Sequence, residues 1–253
     1  LLFLCSGASG LIFETLWMRL LTTTFGATTF AISTLLTVFM GGMALGGWIA
    51  GAIADRIKSE GTALIVYGGL ELLVGAYGLA FPAILGQVHE LHSWLWIQWS
   101  PGPYAFALLR FFIVGVVLII PTTAMGATLP VLSRFYARQS TGLGRDVGTL
   151  YSINILGAVT GTFLAGFVLM PTLGMSSTNR TAGAINLVLC VISVLLGYFM
   201  NKQLEAKGPT PTPESESESE SGPESEAASD AVPEPPDTYA PRAVNIALVA
   251  VAV

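Results

Sequence analysis

Three ionisable residues sit where ionisable residues are costly. Glu14, Glu71 and Arg110 each lie inside an otherwise apolar run of membrane length. A charge at the centre of a bilayer costs about 2.5–3.5 kcal/mol even on insertion scales, so its default reading is a functional site or an internal pair. At 1.5 Å of rise per residue, Glu14 and Arg110 each fall roughly 10 Å below the outer end of their helices, and Glu71 falls near the middle of its own. This depth matching predicts that Arg110 pairs with Glu14 or Glu71 and leaves one carboxylate over. A spare carboxylate facing a cavity can bind a proton or a cationic substrate; a purely structural ion-pair cluster is the alternative. Asn154 and Asn186 also lie within apolar runs. Each can hydrogen-bond across helices for about 1 kcal/mol, or contact a substrate.

The elements that position these residues are read from the apolar pattern. Mean hydropathy is +0.68 and 53% of residues are hydrophobic against 11% charged, which places the chain among integral membrane proteins. Six helices are predicted: 1–21, 28–54, 62–85, 104–137, 147–170 and 181–200. Each is long enough for a hydrocarbon core of about 30 Å. The fold class is all-α integral membrane. Residues 1–201 form a six-helix domain and residues 202–242 a disordered acidic linker. Residues 243–253 begin a seventh transmembrane helix. Nine of the sixteen acids fall in residues 208–242, an acidic Ser/Pro-rich tether too polar to fold. The net charge of −5 therefore reflects the tether. Residues 1–207 carry ten Lys/Arg against seven Asp/Glu.

Basic residues set the orientation. Arg56, Lys58, Arg134, Arg138, Arg145, Lys202 and Lys207 fall on one side of the predicted spans, and Arg180 alone on the other. The positive-inside rule then makes the N-terminus and linker cytoplasmic, in a multi-pass protein of the cell (inner) membrane. The expected surroundings are the lipid bilayer, with no nucleic acid partner, since no basic patch carries interleaved aromatics. The segment 86–103, with Trp94, Trp96 and Trp99, reads as a loop holding a short interfacial element. His89 and His92 there are too few to make a metal site. Cys5 and Cys190 read as small packing residues, and Arg19 as a side chain that reaches for headgroups. Asn179-Arg180-Thr181 matches a short glycosylation signal. No cofactor and no catalytic constellation is expected from these residues.

Two features concern packing. Gly42, Gly46, Gly47 and Gly51 in the second run, and Gly157, Gly161 and Ala165 in the fifth, form small-residue stripes that allow close helix approach. They fit static packing and sliding surfaces equally. Pro121 and Pro130 should kink or break the fourth helix, and a broken helix at membrane depth is tolerated where it lines a cavity or packs in protein.

Two stretches carry a family resemblance: SGASGLIFETLWMRLL (6–21) with FMGGMALGGWIAGAIADR (39–56), and MGATLPVLSRF (125–135) with GTLYSINILGAVTGTFLAGFVLMPTLG (148–174). Together they resemble the membrane part of fused major-facilitator/spermidine-synthase-like proteins. The resemblance implies a major-facilitator-like half-bundle, the first of two six-helix halves joined by a cytoplasmic linker. A polyamine aminopropyltransferase domain often follows. Gly51, Asp55 and Arg56 match the facilitator's loop motif Gly-x-x-x-Asp-Arg, which implies a gating role; the basic pair downstream is reduced to Lys58. The implied function is transport or channelling of a small cationic, polyamine-like substrate, with the second half as partner. Two alternatives stay open: a membrane anchor for an aminopropyltransferase, and a non-transporting subunit packed against other subunits of a membrane complex.

Overall fold

The computed structural model describes residues 1–25, 29–54, 56–57, 59–99, 102–137 and 143–206. Residues 202–206 of the expected linker belong to the last helix, and the rest of it lies outside the described residues together with the expected seventh helix. Leu2–Lys202 forms one compact unit; Leu1 and the segment from Gln203 onward form another. Among the described residues the chain is all helical: α1 (Leu2–Phe25), α2 (Thr29–Ala54), α3 (Glu60–Trp99), α4 (Pro103–Ala137), α5 (Leu143–Leu164) and α6 (Met170–Ala206). A short π-helical segment, Ala165–Leu169, joins α5 to α6. Four stretches are long and apolar enough to cross a membrane: Ile32–Ala54, Glu60–Leu95, Phe111–Phe135 and Gly144–Leu204.

Helix ends follow local chemistry. Ser59 caps α3, its Oγ accepting the Thr62 N–H at 3.0 Å, with Glu60 in the first turn against the positive helix end. Ser59 also donates to Asn201 Oδ1 at 2.9 Å, tying α6 to the start of α3. Pro103 opens α4, where its missing N–H costs nothing. Gly174 (φ 76°, ψ 170°) takes a backbone conformation that side chains disfavour and breaks the helical path inside α6.

Three expectations about these helices need correcting. The segment 86–99 is not a loop, because α3 runs on to Trp99 without interruption. Residues 171–180 belong to α6, apart from the break at Gly174. Pro121 and Pro130 do not break α4, which is helical from Pro103 to Ala137.

The reason α3 and α4 survive their prolines lies in the neighbouring helices. A proline inside a helix leaves the carbonyl four residues earlier without its usual donor. Pro82 frees the Gly78 carbonyl, and the Asn179 amide of α6 donates to it at 2.8 Å. Pro121 frees the Val117 carbonyl, and the Tyr77 hydroxyl of α3 donates to it. In an apolar setting an unpaired carbonyl costs several kcal/mol, so these side chains act as replacement donors.

Close seams complete the packing. A Cβ on Gly46 would collide with the Thr123 carbonyl, and one on Gly126 with the Met43 backbone, so α2 and α4 meet backbone to backbone. Gly157 meets the Leu4 carbonyl and Gly161 the Ala8 backbone in the same way, joining α1 to α5. Gly51 is different: it is exposed, and a Cβ there would meet nothing within 4 Å. In the core, Trp17 stacks between Phe13 (5.1 Å) and Phe81 (4.7 Å). Apolar side chains such as Trp48, Phe112, Val116 and Phe167 cover the outside.

The proline-capping account makes a specific prediction. Asn179→Ala should destabilise the protein by roughly 1–3 kcal/mol, as expected for a buried acceptor left unpaired. In a Pro82→Ala background, where residue 82 again offers an N–H to Gly78, the same change should cost clearly less. Thermal unfolding of the four variants in a double-mutant cycle reads this coupling. Strict additivity would show that the two residues do not share one carbonyl.

Candidate functional site

Residues from all six helices line one partly open cavity, with polar groups set in a largely apolar wall. It offers about 60 Å³ to the centre of a water-sized molecule, roughly four times what a single water needs. On α1 it is lined by Ser6, Gly7, Ser9, Gly10 and Leu11. Phe39 and Met43 come from α2, Glu71 and Val74 from α3, and Met125 and Thr128 from α4. Asn154 from α5 and Asn186 from α6 close it.

Glu71 is 2% exposed, and its Oε1 accepts a hydrogen bond from Ser6 Oγ at 2.5 Å. Its carboxylate thus has a hydroxyl for a partner and faces a cavity. Asn186 is fully buried: its Oδ1 accepts from Ser9 Oγ, while its Nδ2 is buried with no hydrogen-bond partner among the described residues. A buried amide donor without a partner carries a desolvation cost, and here it belongs to a residue that lines the cavity. Ser9 also lies 3.0 Å from the Ser6 carbonyl, so the two serines form one short polar ledge on α1. Asn154 is set by the close contact of α5 with Gly7, where a Cβ would lie 2.7 Å from Asn154 Oδ1.

Of the charges expected to cluster, Glu71 lines the cavity. Glu14 is half-buried and does not line the cavity; it lies eight residues beyond Ser6 on α1, about 12 Å along the axis. Arg110 is near the start of α4, fifteen residues before the cavity residue Met125, or about 22 Å along the axis. The side chain of Arg110 lies outside the described residues. Glu71 and Asn154 do meet at one cavity, and Asn186 joins them.

The remaining candidates are dispersed. Gly51 and Arg56 are both exposed at the end of α2, and Asp55 and Lys58 lie outside the described residues. The Arg56 N–H donates to the Ile53 carbonyl at 2.9 Å in a turn. Arg19 is exposed, and Cys5 and Cys190 are free thiols of intermediate burial. The side chains of His89, His92, Trp96 and Trp99 lie outside the described residues, and Trp94 is exposed. Asn179 is 3% exposed with its amide committed to Gly78, which removes it as a glycan acceptor. Ser6 and Ser9 escaped the sequence reading. Their signal was a small polar pair one helical turn wide on the face of α1 that also carries Gly7 and Gly10.

No family model matches the chain. It is similar to "Polyamine aminopropyltransferase 2" of Streptomyces coelicolor, with 26% identity over 198 residues. The aligned part covers 78% of this chain and 33% of that protein, so the chain spans about a third of the length of the curated relative it matches. No solved structure matches it.

The buried Asn179 gives a check on the packing at this level. Expressed in a host that attaches glycans to asparagine, the protein should show an unmodified mass for the peptide containing Asn179. A glycan found there would place this residue at the surface and contradict the Asn179–Gly78 contact.

Proposed function

We propose that residues 1–201 form a six-helix, major-facilitator-like half of the membrane domain of a polyamine-aminopropyltransferase-like protein. Its N-terminus and linker are cytoplasmic, and the cavity around Glu71 binds the ammonium group of a small cationic substrate. One observation carries the reading: a buried carboxylate, held by a serine hydroxyl, faces a polar cavity on which six helices converge. The cavity wall is rich in acceptors, with the Glu71 carboxylate, the Ser6, Ser9 and Thr128 hydroxyls and the Asn154 carbonyl oxygen. Phe39 adds an aromatic face suited to a cation. The polyamine link draws on the similarity to an aminopropyltransferase, which is an argument by analogy. Transport would follow from rocking of two halves about this level.

A second reading has its own support. The match covers only a third of an aminopropyltransferase-named protein, which fits a membrane anchor whose helices position catalysis carried elsewhere. Glu71 separates the two readings. In lipid nanodiscs, the full-length protein should bind 1,4-diaminobutane in calorimetric titration. Glu71→Gln should weaken that binding roughly ten- to a hundredfold, the loss expected for one charge-assisted hydrogen bond. Binding that is unchanged in a stably folded Glu71→Gln protein would leave the anchor as the better account.

A further inference from the structure

We propose that Gly10 sets the length of the cation the cavity accepts, holding open the space through which a straight methylene chain runs from an ammonium group at Glu71. This rests on the reading of the cavity as an ammonium site.

The argument starts from two glycines on one helix. A glycine in a helix interior is about 1 kcal/mol less favourable than alanine, so each needs a reason. Gly7 has one in packing: a Cβ there would collide with the Asn154 backbone carbonyl of α5. Gly10 has none, since a Cβ there would meet no atom within 4 Å. Yet Gly10 is partly buried and lines the cavity. The space beside it is therefore cavity space, kept free by the missing side chain and not by a neighbouring helix.

The position of that space fits one ligand shape. Gly10 lies one turn beyond Ser6, about 6 Å along α1 from the hydroxyl that holds Glu71. The polar end of the cavity has the Glu71 carboxylate and the Ser6 hydroxyl. Leu11, Phe39, Met43, Val74 and Met125 supply apolar walls. A charged head at one end and an apolar passage about one helical turn long match a primary alkylammonium ion with a short unbranched chain.

The test compares cations of rising length on wild-type protein, Gly10→Ala and Gly10→Leu, using full-length protein in nanodiscs and calorimetric titration. Methylammonium should bind all three within about twofold. For n-butylammonium, Gly10→Leu should weaken binding at least tenfold, with Gly10→Ala intermediate. The melting temperature of Gly10→Ala should not fall, because the added Cβ meets nothing within 4 Å. If Gly10→Leu does not fold, the Gly10→Ala comparison across the same cations decides alone. Equal binding of the long cation by wild type and the Gly10 variants, with Glu71→Gln still defective, would overturn the role of Gly10 and leave the ammonium site standing. No binding of any of these cations to wild type would overturn both.

Discussion

A carboxylate in the body of an apolar helix must be given partners by the helices around it. Glu71 imposes that demand on this fold, and its surroundings are arranged to meet it. Ser6 donates from α1, and α6 brings Asn186 to Ser9, one turn further along the same helix. Where α1, α3 and α6 meet, polar groups thus gather and packing leaves a cavity. Burying a carboxylate without partners would cost far more than a single hydroxyl can return. A polar space beside it lowers that cost by admitting water or a cation.

The same constraint governs the backbone. In apolar surroundings no water stands ready to satisfy a carbonyl that a proline has released. Pro82 and Pro121 create two such carbonyls, at Gly78 and Val117, and Asn179 and Tyr77 reach across from other helices to them. The prolines and their partner side chains form one device that links α3 to α6 and α4 to α3. The glycine seams play a complementary part. They bring α2 onto α4 and α1 onto α5 closely enough for dispersion forces to act between backbones. Gly10 is the exception among the glycines of α1: its space opens onto the cavity, not onto another helix.

Much of this could be read from the residues alone, and the misreadings have identifiable physical causes. The helical class followed from long apolar runs, and Glu71 and Asn154 stood out because polar side chains within such runs are expensive. The expected pairing of Arg110 with Glu14 or Glu71 falls on a side chain outside the described residues; Arg110 itself lies near the start of α4, and α3 extends from Glu60 to Trp99 with Glu71 about three turns in. The extension itself was hidden by Pro82 and by a Trp- and His-rich segment that reads as interfacial loop. The break expected at Pro121 does not occur because the donor that compensates it, Tyr77, comes from another helix and leaves no local signal. Ser6 and Ser9 were passed over because serine is common in helices, and only the approach of α3 and α6 turns them into ligands.

The central claim is that Glu71 is held by a serine hydroxyl and faces a cavity that can be occupied. A high-resolution cryo-EM map of the full-length protein in lipid nanodiscs, recorded with 1,4-diaminobutane, tests this most directly. The account predicts density in the cavity within hydrogen-bond distance of Glu71, with Ser6 still donating to Glu71. A collapsed cavity, with Glu71 in a salt bridge to Arg110 or any other basic side chain, would contradict it.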